Sequence, residues 1–296
     1  MKKLIVIIIA LSIIFTGCTK DKNSSTDHEG KLLVYASFYP LYFLADEIGG
    51  DNIEVRTVIP HGVEPHDYEP SVNQLKELNE AQVFIYNGAN FESWVDKMIG
   101  SVIDEEITIN ASEYCELIVE DETADPHIWL DPENMISIGK AIKDRFVELD
   151  PNNKDLYEEN YEKLKNRLEE LDNRYFEQLK SKRIDSIIVS HKAFGYMAKR
   201  YGFEQISVAG ISPDQEPSPR AIADIIDLAK DKDYRYIFLE SMASPKTVET
   251  IAEETSLETL VLNPVEGLTK EDMENGKDYI TIMEENLENL IKALVK

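Results

Sequence analysis

Tyr157, Tyr161, Leu164, Leu168, Leu171, Tyr175 and Leu179 recur at steps of four, three, four, three, four and four, and no Gly or Pro interrupts residues 152–181. That spacing puts one apolar stripe on a single helix of about 30 residues, roughly 45 Å long at 1.5 Å per residue. Whatever precedes and follows such a helix has to pack on the stripe. An isolated coiled-coil segment is the plainer reading of the pattern, but the sequence on both sides alternates between strand and helix and leaves no room for a partner coil. A continuous helix also resists bending more than a glycine-containing double linker, so the blocks it joins are expected to move little.

On the amino-terminal side, short β-branched runs at Leu32–Ser37, Ile53–Val58, Val83–Asn87 and Ile107–Ile109 read as strands. Helical patterns lie between them near Pro40–Ile48, Ser71–Asn79 and Phe91–Ile99. Asp131-Pro132, a cap residue followed by proline at the first helical position, starts a helix expected to reach about Leu149. The scheme repeats beyond the long helix, with strands at Ile187–Ser190, Gln205–Ala209, Tyr236–Glu240 and Thr259–Leu262. Ser218-Pro219-Arg220 and Ser244-Pro245-Lys246 have the form that opens helices. Strands alternating with helices predict an α/β fold: two Rossmann-like lobes with mainly parallel sheets, joined by one long rigid helix. The division predicted is a lobe at 32–150, a linking helix at 151–182 and a second lobe at 183–296.

The chain opens differently. Met1-Lys2-Lys3 is followed by a twelve-residue apolar run, Leu4–Phe15, broken only by Ser12, and then Thr16-Gly17-Cys18. A basic start and an apolar run too short to span a bilayer as a mature helix mark residues 1–17 as an export signal. Small residues before Cys18 give it lipoprotein form, with Cys18 acylated as the new N-terminus; an uncleaved N-terminal anchor is the alternative. Either reading puts the chain outside the cytoplasm and tethered to a membrane, at its outer face. Residues 18–31 are polar and aperiodic and read as a flexible tether, in which His28 is a solvated side chain. Cys115 is then the only thiol left in the mature chain, so no disulfide framework or four-cysteine zinc site is available. The balance of 31 Lys and Arg against 57 Asp and Glu argues against a nucleic-acid partner, whose phosphates call for a basic face.

Histidines fall where the strands end. The segments are Pro60-His61-Gly62-Val63-Glu64-Pro65-His66-Asp67-Tyr68-Glu69-Pro70, Asp125-Pro126-His127-Ile128-Trp129-Leu130-Asp131-Pro132, Ser190-His191-Lys192-Ala193-Phe194-Gly195-Tyr196 and Leu262-Asn263-Pro264-Val265-Glu266-Gly267-Leu268-Thr269. Three of the four follow the carboxyl end of a strand, where open α/β sheets build their ligand sites. Two come from each lobe, so they can converge across a cleft. Three imidazoles and one carboxylate suit zinc in four-coordinate geometry. Each of the three histidines is followed by an aromatic, Tyr68, Trp129 or Phe194, which either walls the site off from water or simply packs a core. His61, five residues before His66 in a proline-bounded loop, lacks helical ligand spacing and reads as a cleft-rim residue with a possible auxiliary metal contact. Neither His-Glu-x-x-His nor His-x-x-Glu-His occurs, so no zinc-protease motif is present.

Within these segments, Pro65–Pro70, Pro126–Pro132, Ser190–Tyr196 and Leu262–Thr269, together with Ile211-Ser212-Pro213-Asp214-Gln215-Glu216-Pro217-Ser218, resemble the zinc/manganese-type family of metal-binding lipoproteins, the solute-binding components of ABC-type metal importers; His61 is not part of that pattern. The likeness runs from about Leu32 to the C-terminus. It implies two α/β lobes, a rigid linking helix, and a metal in the interlobe cleft held by His66, His127, His191 and Glu266. It also implies a monomer that delivers its metal to an ABC permease in the membrane and catalyses nothing. Histidine at 191, where manganese or iron binders of the family tend to place a carboxylate, points to the zinc-binding branch and to Zn2+ over Mn2+. The chain departs from some zinc members in lacking a long His-rich loop; its counterpart, Glu116–Asp125, is short and acidic. The competing functions are a manganese importer component, a surface zinc hydrolase and an adhesin.

Overall fold

A computed structural model describes residues 30–296 apart from residues 214, 216, 232 and 233. The export signal, Cys18 and all but the last two residues of the tether, His28 included, lie outside the described residues. The first lobe contains β1 (Leu32–Ala36), α1 (Tyr39–Gly49), β2 (Ile53–Thr57), α2 (Val72–Leu78), β3 (Val83–Tyr86), α3 (Val95–Met98), β4 (Thr108–Asn110), the paired β5 (Val119–Glu120) and β6 (Thr123–Ala124), and α4 (Pro132–Leu149). The connector is α5 (Lys154–Gln178). Beyond it come β7 (Ser186–Val189), α6 (Gly195–Tyr201), β8 (Glu204–Ser207), α7 (Pro219–Asp231), β9 (Tyr236–Leu239), α8 (Lys246–Thr255), β10 (Glu258–Val261), α9 (Lys270–Glu274) and α10 (Tyr279–Leu294).

Each lobe holds one four-stranded sheet, in the orders β2-β1-β3-β4 and β10-β9-β7-β8. All pairings within the two sheets are parallel. Numbered within its own lobe, each sheet runs second–first–third–fourth, so the chain reverses direction between its first and third strands. At such a reversal the loops leaving the two strands part and open a crevice at the carboxyl edge.

The connector is as the stripe requires: Tyr157, Tyr161, Leu164, Leu168, Leu171, Tyr175 and Leu179 are all buried. They belong to one apolar core that runs from Leu32 through α1, α4 and α5 to Leu294. At about 25 cal/mol per Å2 of apolar surface, fully burying one such side chain is worth roughly 2 kcal/mol, so the stripe ties α5 firmly to both lobes. Polar clamps flank it. Arg167 on α5 donates to Glu47 of α1 at 2.6 Å and to Asp278, the cap of α10, at 2.7 Å. Arg200 of α6 reaches Asp172 on α5 (2.6 Å) and Glu133 on α4 (2.9 Å).

Local differences from the expected elements have identifiable causes. Asp131 caps α4 as expected, accepting from the Glu133 N–H at 2.9 Å with Pro132 at the first position. The helix expected at Phe91–Ile99 shrinks to Val95–Met98, because Gly88, Ala89 and Asn90 all take left-handed backbone (φ 75°, 51° and 61°). What holds that turn is the buried Glu92 carboxylate, which accepts from the Asn87 and Gly88 N–H groups (2.8 and 3.2 Å) and from the Ser37 hydroxyl. A side chain at 88 would collide with Asn110 and Ser112, so only glycine fits. The acidic loop at 116–125 contains a hairpin, β5–β6, turned by Asp121 and Glu122 at φ 47° and 65°. Two left-handed central residues fit the twist of a tight hairpin, but Asp-Glu is not the Asn-Gly or Asp-Gly pair that announces one.

Candidate metal centre

The four loops converge between the lobes. Ligand atoms of His66, His127, His191 and Glu266 all lie within 4.8 Å of one another. One carboxylate oxygen, Glu266 Oε1, stands 3.3 Å from His66 Nε2, 3.6 Å from His191 Nε2 and 3.7 Å from His127 Nε2. His127 Nε2 and His191 Nε2 are 3.2 Å apart. Four ligands about 2.0–2.1 Å from a tetrahedral zinc ion are separated by about 3.3–3.4 Å. The four separations from Glu266 and between His127 and His191 are close to that edge length, and the whole set spans no more than 4.8 Å. The rings of His127 and His191 are fully buried and that of His66 is 7% exposed.

Each of the three histidines has its own mechanical support. His191 follows β7 after a single residue, Ser190, and lies in the crevice between β7 and β9. Glu240, the residue after β9, accepts from the His191 backbone N–H at 2.9 Å and brings Oε1 to 2.7 Å from Nδ1, in a bent approach outside hydrogen-bond alignment. His127 precedes a short helical turn, Ile128–Leu130, and Asp125 Oδ1 bonds both its backbone N–H (3.0 Å) and Nδ1 (2.7 Å). A carboxylate at Nδ1 fixes that nitrogen as the protonated one and leaves Nε2 facing the cluster. Gly195 makes room for Asp125, since a Cβ there would lie 2.5 Å from Oδ2. His66 is held differently: Glu64 accepts from its backbone N–H at 3.0 Å, and the edge of its ring packs on Phe91, centroids 4.9 Å apart.

The second lobe grips the His127 loop. Trp129 Nε1 donates to the Pro264 carbonyl (2.7 Å), the Tyr279 hydroxyl donates to the Trp129 carbonyl (2.6 Å), and the Tyr196 hydroxyl donates to the Asp125 carbonyl (2.8 Å). Trp129, Phe91 and Phe38 pack together behind the histidines. Burial is the largest influence on the charges of His127, His191 and Glu266. It lowers the affinity of His127 for a proton, and His191 and His66 add to this, so that the opposing pull of Asp125 is outweighed and His127 titrates below the ordinary imidazole range. At His191 burial also lowers proton affinity, but Glu240 and Glu266 outweigh it and the net shift is upward. Burial raises the Glu266 carboxyl, yet His66 and the neighbouring imidazoles hold it below its usual value. A low-lying carboxylate beside a neutral imidazole is the form in which these groups bind a metal cation.

The sequence model for the periplasmic zinc-uptake complex component A matches residues 34–293. The chain belongs to this zinc-uptake component A family. Its relatives include the high-affinity zinc uptake system protein ZnuA of Bacillus subtilis strain 168, 36% identical over 94% of this chain and 92% of the relative. The zinc-binding lipoprotein AdcA of Streptococcus pneumoniae strain R6 is 33% identical over 98% of this chain, which spans 60% of that longer protein. The crystal structure of the Zn(II)-bound ZnuA-like domain of S. pneumoniae AdcA matches 90% of this chain and 100% of its own, at 35% identity and a TM-score of 0.81.

For a zinc-uptake component A, the sequence reading named the converging residues but missed what supports them. Asp125 was legible in principle, as a carboxylate two residues before a ligand candidate. Glu240 was not, because its partner is 49 residues away and only the strand order makes them neighbours. Phe91, inside an expected helix, forms part of the apolar wall in place of Tyr68, whose hydroxyl instead accepts from Gln74 at 2.6 Å. His61 stands outside the cluster of four, half-buried between Tyr39 and Tyr42 at centroid distances of 5.7 and 5.9 Å. It is less exposed than a rim residue, and burial lowers its pKa.

Proposed function

We propose that this chain is the extracytoplasmic zinc-binding component of an ABC importer, capturing Zn2+ with His66, His127, His191 and Glu266 and passing it to a membrane permease. The observation that carries the reading is the convergence of three imidazole nitrogens and one carboxylate oxygen, all within 4.8 Å of one another. Three imidazoles favour zinc over manganese, which prefers more oxygen ligands. The names of the relatives point to the same ion. Support for a carrier over a hydrolase comes from Asp125 and Glu240, the carboxylates flanking the cluster: each is turned onto a histidine rather than left to activate a water. In this reading the protein is a monomer held by a lipid on Cys18 at the outer face of the cytoplasmic membrane. Its lobes are residues 32–150 and 183–296, set around the linker at 151–182.

Titration of the metal-free chain should give one tightly bound Zn2+ per molecule and weaker Mn2+ binding, with zinc-limited growth of a deletion strain restored by the wild-type gene. Cys18→Ala should move the protein from the membrane to the soluble fraction without loss of zinc binding. Preference for manganese, or growth indifferent to the gene under zinc limitation, would overturn the reading.

A further inference from the structure

Glu266 reaches the cluster from an unusual piece of backbone. The residue before it, Val265, is fully buried and left-handed at φ 58°. A β-branched side chain strongly disfavours that region, so something must hold it there. Asn263 does so directly: its Oδ1 accepts from the Val265 N–H at 2.8 Å. Asn263 is itself gripped at both ends by one side chain of α10. Asn286 Oδ1 accepts from the Asn263 N–H at 2.8 Å, and Asn286 Nδ2 donates to the Asn263 carbonyl at 2.7 Å. Three residues on along α10, Asn289 Nδ2 donates to the Val261 carbonyl at 2.9 Å, where β10 ends. From the other lobe, Trp129 takes the Pro264 carbonyl. Backbone from 261 to 265 is thus held at the Val261, Asn263 and Pro264 carbonyls and the Asn263 and Val265 N–H groups, and Asn286, only 2% exposed, bonds to this segment rather than to the four converging residues.

Backbone strain at a functional position persists only where its surroundings over-determine it. We infer that Asn286 is a positioning residue for Glu266: through Asn263 it holds the strained Val265 turn that aims the carboxylate into the cluster. The inference rests on Glu266 being a zinc ligand. A planar amide suits the task because its oxygen accepts from the N–H while its separate nitrogen donates to the C=O of the same residue; a carboxylate has no donor, and a hydroxyl would have to reach both groups through one atom.

The test is a double-mutant cycle on the whole mature chain, read by zinc affinity in a chelator competition and by the visible absorption of bound Co2+. Glu266→Ala should weaken zinc binding strongly. Asn286→Ala should weaken it by about 10- to 100-fold, as loss of outer support for a metal ligand does. In the Glu266→Ala background the same change should add less than about twofold, and the Co2+ spectrum of Asn286→Ala should shift towards that of Glu266→Ala. Asn263→Ala, which keeps the α10 helix intact and removes only the acceptor for Val265, should show a smaller loss with the same non-additivity, and it carries the test if Asn286→Ala does not fold. Equal losses in both backgrounds, or an unchanged Co2+ spectrum, would reduce Asn286 to a general stabiliser and overturn the inference. If Glu266→Ala leaves zinc affinity unchanged, the ligand set falls as well; if only the asparagine variants are silent, the ligand set stands and the inference alone fails.

Discussion

Both sheets run second–first–third–fourth, and each therefore opens a crevice between its first and third strands. In the first lobe that crevice is closed by Ser37, Asn87 and Glu92; in the second it holds His191 and Glu240. A buried carboxylate follows the third strand in both. Glu240 turns Oε1 onto a histidine, and Glu92 accepts from two backbone N–H groups and a hydroxyl. The same topology thus supplies a location and leaves the chemistry to a few side chains. Where the carboxylate meets an imidazole, the crevice itself becomes part of the metal centre. Where it meets backbone, it organises loops, and the first lobe must bring His66 and His127 from segments outside its own crevice. Asn87 shows the link: its side chain donates to the Pro126 carbonyl at 2.8 Å, one residue from His127.

The largest test of the difference is removal of a ring. His191→Ala and His127→Ala should each lower zinc affinity by more than about a hundredfold, measured by chelator competition, because a ligand and its preset geometry are both lost. Ser37→Ala, in the crevice of the first lobe, should leave affinity within about threefold, since that crevice acts on backbone. Equal losses for Ser37→Ala and His191→Ala would erase the distinction between the crevices.

The carboxylates come next. Glu240→Gln and Asp125→Asn should cost about 10- to 100-fold in zinc affinity, the range for residues that orient a ligand histidine. Glu64→Gln, which faces the His66 backbone rather than its ring, should cost several-fold less. Affinities ranked the other way would mean that ring orientation is not what Asp125 and Glu240 provide.

Glu92 should show itself in stability against pH. Burial pushes its carboxyl up to about 7. Because the folded value lies above the unfolded one, its contribution to stability is full below about pH 4.5 and is lost as pH rises to about 7, a difference on the order of 3 kcal/mol. In urea titrations of the metal-free protein, Glu92→Gln should therefore gain on the wild type between pH 5 and 7.5. A constant difference across that range would show that the carboxyl does not titrate in the fold. The smallest effect belongs to His61→Ala, expected to change zinc affinity by less than about twofold; a loss comparable to that of His66→Ala would place His61 among the ligands.

Much of this was legible before any coordinates. The stripe from Tyr157 to Leu179 specifies α5 because period and burial are the same fact seen twice, and Asp131-Pro132 specifies where α4 begins because its capping is local. Alternating strands and helices dictate parallel sheets, and the positions of His66, His127, His191 and Glu266 at loop ends mark them as a set. Sequence could not show the support that comes from distant segments. Glu240 reaches His191, Asn286 grips Asn263 and Trp129 finds Pro264 only because strand order and the docking of α10 bring together segments 23 to 135 residues apart. Nor could it reveal that Ala89 and Val265 would be left-handed, since neither prefers that region and only surrounding hydrogen bonds impose it. Local periodicity and capping act over a few residues and leave their mark in the sequence. Support for a metal centre acts across space, and only the tertiary structure decides it.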